Sequence, residues 1–210
     1  SFGLENVLWF ANNKEDAHEE PTIKRSRSHD YVSKEVINVR ENVGLIEVAN
    51  FSKHEFKGPD ARKFLDHIMA GRLPKPGRIS LSPMLSYRGK LCGDLTVTCL
   101  DENEFMVFGS GAAQEMHRRW FESHLDKFNL NYKNRSDEFH GLSIAGPNSR
   151  KVLEKIVRDD VSNEKFKFRD SRRMFVGGVP AIINRISFTG ELGYEIYVAP
   201  HYQLKLYISH

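Results

Sequence analysis

The sequence is poor in cysteine: 210 residues hold two, Cys92 and Cys99. No CxxC or Cys/His pair has zinc-ligand spacing, and a chain of this length can bury enough surface to fold without a metal or disulfide staple. The two thiols fall on one expected strand at an odd separation, which points them to opposite faces and forbids pairing there. Few free thiols suggest a reducing compartment. No apolar run approaches the roughly 20 residues of a membrane span, and no basic-then-apolar leader is present. Strong charge of one sign is also missing. A net charge of +3 falls short of a nucleic-acid-binding stripe, yet favours a small polyanion such as a polyglutamylated ligand. The expectation is a cytoplasmic protein with no nucleic-acid or membrane partner.

Several familiar chemistries lack their residues. His54, His67, His117, His124 and His140 are scattered, with no i, i+4 pair and third ligand, so no metal site is expected. Ser80, Ser82 and Ser110 have no nucleophile-elbow context. Gly109-Ser110-Gly111 lacks the Lys-Ser/Thr of a phosphate loop and reads as a turn opening a helix. The basic run from Lys24 to Asp30 reads as a solvated linker.

What is present is patterned. Residues 1–11 are apolar and aromatic, with Trp9 and Phe10 expected to anchor an arm; residues 12–31 are polar. A helix is expected to begin near Ser33, and strands over Gly44–Asn50 and His54–Lys57. Pro59 suits a first turn, after which Ala61, Phe64, Leu65 and Ile68 recur at helical spacing. Strands Ile79–Ser86 and Leu91–Leu100 form a hairpin about Arg88-Gly89, and Glu104–Phe108 extends it to a meander. A helix from Ala112 to Phe128 follows, then strands at Leu130–Lys133 and Gly141–Ala145.

The organising feature is repetition. Gly58 to Ile68 (GPDARKFLDHI) returns as Gly146 to Ile156 (GPNSRKVLEKI). Tyr87 to Val97 (YRGKLCGDLTV) also matches Phe188 to Val198 (FTGELGYEIYV), which sets Glu195 against Asp94. Two ordered matches argue for a duplicated strand-helix-hairpin unit, with a longer loop in the second copy. If the halves pack about a pseudo-twofold, Asp94 and Glu195 come from equivalent strands and approach one cleft.

These segments resemble the aminomethyltransferase (glycine-cleavage T-protein) folate-binding family, most closely the version fused to dimethylglycine and sarcosine dehydrogenases and oxidases. The resemblance is carried by GLENVLWF, VANFSKHEFKGPDARKFLDHI, GDLTV, GLSIAGPNSRKVLEKI and RISFTGELGYEIYV. It implies an α+β fold of two pseudo-repeated antiparallel lobes with flanking helices: an arm and linker at 1–43, a first folate-binding lobe at 44–139 and a truncated second at 140–210, the family's C-terminal barrel absent.

The resemblance further implies a tetrahydrofolate site with Asp94 beside the reactive nitrogens and Glu195 binding the pterin. The residue types agree, since a carboxylate accepts two parallel hydrogen bonds from a ring N–H and an adjacent amine. Phe188 and Thr189 belong to the second motif and Leu81 lies near the first. Phe188 and Leu81 stand where the family has tyrosines, so two hydroxyls are missing. The implied activity is transfer of a methylene or iminium carbon from an N-methylated glycine, oxidised by a flavin domain, to give 5,10-methylenetetrahydrofolate. FAD would belong to that partner domain of a parent protein, and a eukaryotic version to the mitochondrial matrix. Two alternatives share the fold: a non-catalytic folate-binding module, and a folate-dependent demethylase of another methylated osmolyte.

Overall fold

In the computed structural model, which describes residues 11, 13–18 and 21–208, the chain runs α1 (His29–Glu41), β1 (Gly44–Glu47), β2 (Ser52–Lys57), α2 (Ala61–Ile68), β3 (Arg78–Leu85), β4 (Leu91–Asp101), β5 (Glu104–Gly109) and α3 (Gln114–Glu122). It continues with β6 (Asn131–Asn134), β7 (His140–Ala145), α4 (Ser149–Leu153), β8 (Ser171–Val176), β9 (Val179–Asn184), β10 (Gly193–Val198) and α5 (Gln203–Ile208). The arm expected around Trp9 and Phe10 lies outside the described residues.

Two Gly-Pro steps turn β2 into α2 and β7 into α4. Gly58 and Gly146 adopt φ of 142° and 124°, and a Cβ would lie 2.9 Å from Leu130 Cα at the first and 2.4 Å from the Asn42 carbonyl at the second. Only glycine fits both the dihedral and the close approach. The helices that follow bury one face, Ala61, Phe64, Leu65 and Ile68 in α2, and Ser149 and Leu153 in the shorter α4.

The strands form two five-stranded antiparallel sheets, ordered β3-β4-β5-β2-β6 and β8-β9-β10-β7-β1. Written in that direction the orders coincide. Each copy is a leading strand, a second strand, the Gly-Pro helix, a three-stranded meander and a closing helix. The leading strands are exchanged: β1 pairs with β7 in the second copy's sheet, and β6 pairs with β2 in the first copy's. Residues 44–47, assigned from sequence to the first lobe, therefore complete the sheet of the second.

Each sheet packs one face against its helices. Phe56, Phe64, Leu95, Val97 and Phe121 fill the first core, and Leu142, Leu153, Tyr194, Ile196 and Leu206 the second. The opposite faces meet through Met106 and Phe108 of one sheet and Ile182 and Tyr197 of the other. An ion pair between Arg78 and Asp170 and a bond from Ile79 N to Arg169 O, 2.9 Å, tie the sheet edges.

Three expectations change. The helix expected over Ala112–Phe128 is broken into a 3-10 turn at Gly111–Ala113, α3 and another 3-10 turn at Leu125–Lys127, with Met116 half exposed. At the break, Ser123 Oγ donates to the Trp120 carbonyl at 2.8 Å, a local side-chain bond of the kind that competes with helix continuation. Cys92 and Cys99 do not face opposite ways, because a register shift opposite Met84/Leu85 breaks the alternation and both thiols contact the first core. Both are free. The long loop expected in the second copy holds β8 and β9, joined at Gly177-Gly178 with φ of 57° and 75°. That is a hairpin turn of the type two positive-φ residues make.

Candidate functional site at the lobe interface

Asp94 lies on β4, where Leu95, Val97 and Cys99 point into the helix-covered core and Asp94, Thr96 and Thr98 point the other way. Its cross-strand neighbour is Pro83, and Leu81 stands opposite Thr96. The Asp94 side chain is exposed and makes no hydrogen bond or ion pair with the described residues, and Leu81 is 63% exposed. A free carboxylate beside an exposed apolar strand is available to a ligand.

Glu195 lies on β10 between Ser143 of β7 and Asn184 of β9. Tyr194, Ile196 and Val198 enter the second core, so Glu195 and Tyr197 face the first lobe. Tyr197 Oη donates to Glu195 Oε2 at 2.8 Å. Burial pushes the Glu195 carboxyl above the usual range, partly opposed by that bond, while burial and the neighbouring carboxylate raise the Tyr197 phenol well above its ordinary value. The Tyr197 ring meets the Phe108 ring at 4.6 Å between centroids, and Phe108 pairs with Thr96. Thr96, Phe108, Tyr197 and Glu195 thus form a line from the strand of Asp94 to Glu195.

Counting from the Gly-Pro steps, Ser143 matches Glu55, so Glu195 matches Met106 and Tyr197 matches Phe108. Through the next strand pair, Thr96 matches Ile182 and Asp94 matches Pro180. The expected equivalence of the two acids' strands does not hold: Asp94 is on the second meander strand and Glu195 on the third. Missing β8 and β9 in the sequence shifts the second copy by one strand. What remains is that both acids lie on the sheet faces that meet.

A cavity of about 600 Å³ also lies on this interface, lined among others by Met106 of the first sheet and Arg173, Phe175, Pro180 and Ile182 of the second. These are the register equivalents of Glu195, Leu81, Pro83, Asp94 and Thr96. The pseudo-twofold that gathers the first set would gather the second on the other side of the Phe108–Tyr197 contact.

Phe188 and Thr189 sit in the loop before β10. Phe188 is 96% exposed, and Thr189 Oγ1 accepts from Glu191 N at 3.4 Å. Among the described residues, no hydrogen bond joins either to Glu195. The sequence reading missed three residues on the interface. Asn184 faces Glu195 across the ladder with Nδ2 buried and unpartnered, while its Oδ1 accepts from Ser171 at 2.7 Å. Lys53 is fully buried, donates to the Ala49 and Phe51 carbonyls at 2.7 Å, and has its pKa lowered by burial to about 8. Tyr197 could have been found, since it follows Glu195 at strand spacing; Asn184 could not without β9. Among the described residues, no cluster of three His, Cys, Asp or Glu is placed to hold a metal, and no helix is long and apolar enough to cross a membrane.

The fold has counterparts among known proteins. The GCVT N-terminal domain family model matches residues 1–209, and the chain belongs to that family. Mitochondrial dimethylglycine dehydrogenase of Mus musculus is 35% identical over 198 residues, covering 93% of this chain and 23% of that protein. The sarcosine oxidase alpha subunit of Rhizobium meliloti is 31% identical over 207 residues, 95% of this chain and 20% of the subunit. The chain thus spans less than a quarter of these relatives. The glycine cleavage system aminomethyltransferase T of Bartonella henselae has the same fold, with a TM-score of 0.73 at 23% identity, over 84% of this chain and 47% of that one.

Proposed function

We propose that this chain is a tetrahydrofolate-binding one-carbon transfer domain that takes up the methylene or iminium carbon of an N-methylated glycine, such as dimethylglycine or sarcosine, oxidised by a flavin-dependent partner domain. The observation that carries this reading is the placement of Asp94 and Glu195 on facing sheet surfaces, each with acceptor oxygens left open. Family membership supports this reaction class, and the relatives' names suggest the amine.

The side chains fit folate. The pterin edge presents a ring N–H and an amine, both donors, and Glu195 offers Oε1 beside the Oε2 already held by Tyr197. The unpartnered Asn184 amide can meet a pterin acceptor. Tetrahydrofolate, when bound, supplies the nucleophilic nitrogens. Asp94 orients the attacking nitrogen, stabilises the positive charge that develops there and accepts its proton. A carboxylate in such a position is worth about 10²–10⁴-fold in rate. FAD belongs to the partner domain, and for a eukaryotic protein the mitochondrial matrix is the expected compartment.

The test uses the chain within its flavin-containing protein. With dimethylglycine or sarcosine and tetrahydrofolate, 5,10-methylenetetrahydrofolate is expected from the wild type and free formaldehyde from Asp94→Ala. Free formaldehyde from both would overturn transfer.

A further inference from the structure

The pseudo-twofold gives the lobe interface two sides, and the cavity of about 600 Å³ occupies the one away from Asp94. That volume falls within the range of small-molecule sites. Its lining departs from that of the first side in a way that specifies a ligand.

Glu55 of β2 reaches the cavity with a half-buried carboxylate that makes no hydrogen bond or ion pair with the described residues. Arg135 lies 5.5 Å from the Phe139 ring and pairs through Nη1 with Glu138 at 3.0 Å, yet its Nε is buried without a partner. Such donors are rare in folded proteins. The other guanidinium of the lining, Arg173, is likewise paired, donating to Glu104 at 2.7 Å. Met106 and Ile182 supply an apolar wall, and the Phe175 ring, 63% exposed, stands open at the edge.

We propose that this cavity is a second ligand site, separate from the folate cleft, for an amphipathic zwitterion, with its carboxylate on Arg135, its ammonium on Glu55 and its apolar body against Met106, Ile182 and Phe175. An anion alone leaves the Glu55 carboxylate unmatched, and a cation alone leaves the Arg135 donor empty. An amino acid with a large apolar side chain satisfies both.

The experiment titrates L-phenylalanine into the full isotope-labelled chain and follows backbone amide shifts, with phenylacetate and phenethylamine as probes lacking one charge each. Saturable shifts at Met106 and Ile182 are expected, with L-phenylalanine binding about tenfold tighter than either analogue. Glu55→Gln, which breaks no internal bond, should leave the melting temperature unchanged and abolish the advantage over phenylacetate. Arg135→Gln should abolish the advantage over phenethylamine. Saturating tetrahydrofolate should leave the shifts in place. No saturable shift at these residues, equal binding of the three probes, indifference to both substitutions, or competition by tetrahydrofolate would each overturn the proposal.

Discussion

Phe108 and Tyr197 occupy equivalent register positions in the two sheets and their rings meet at 4.6 Å between centroids, tilted by 31°, so each copy contributes the same position to the contact between lobes. Aromatic pairs at this separation add to the burial of their surface. Phe108→Ala should destabilise the fold by about 3–5 kcal/mol, the range of a buried aromatic truncation, and loosen Tyr197 from Glu195. Denaturant unfolding measures the first effect, and a reduced folate affinity the second.

Replacing Asp94 separates binding from chemistry. Asp94→Asn retains the shape of an exposed, unpaired side chain, so the melting temperature should not move. The transfer rate should fall by about 10²–10⁴-fold, with folate affinity changed far less. A parallel loss of affinity and rate would assign Asp94 to binding.

Glu195→Gln should weaken folate binding by about 10–100-fold, the loss of a hydrogen bond to a charged acceptor. Tyr197→Phe acts through the same carboxyl. Burial raises the Glu195 pKa and the tyrosine bond holds it down, so removing the hydroxyl should raise it further. The acid limb of folate affinity against pH then moves to higher pH. An unmoved limb shows that Glu195 ionisation does not govern binding.

Gly141 makes room for Tyr197. A Cβ there would sit 2.7 Å from Tyr197 Cε1 and 2.9 Å from Val48 Cγ2, and neither ring nor branched side chain can yield easily. Gly141→Ala should cost about 1–3 kcal/mol by overpacking and also weaken folate binding by displacing the Tyr197 hydroxyl. Destabilisation without loss of binding would remove Tyr197 from the site.

Stability should fall in acid through two core histidines. Burial, and then the nearby His117, lower His54 to about 4, and burial lowers His117 as well. Between about pH 6.5 and 4 the unfolded chain takes up protons that the folded chain refuses, so stability is present above the window and lost as pH falls through it. His54 accounts for up to about 3 kcal/mol of that loss. His54→Gln should flatten the urea-midpoint profile in this range; an unchanged slope would show that His54 is not the source.

The first copy was legible because its signals are local. Gly-Pro before a helical period, alternation along β4 and turn residues at Arg88-Gly89 each declare one element. The second copy hid two strands. Arg172 and Arg173 interrupt the apolar alternation of β8, and β9 carries Pro180, tolerated where it stands opposite Phe175, so neither reads as a strand by composition. Gly177-Gly178 between them was the available signal. Asp94 and Glu195 were singled out for a reason the fold corrects, since they are not equivalent positions. The exchange of leading strands left no trace in periodicity, because it is a choice of partner and not of local conformation.

That exchange bears on how the chain is made. β1 leaves the ribosome early yet completes its pairing only with β7, long after, while β2 gains its outer neighbour from β6 in the following copy. Pairings this distant in sequence slow folding. Separating the copies between 139 and 140 would strand β1 with the wrong half and bare the edge of β7, a template for association with other chains. The duplicated halves are therefore one cooperative unit, and a nick at their junction should release neither as a folded lobe.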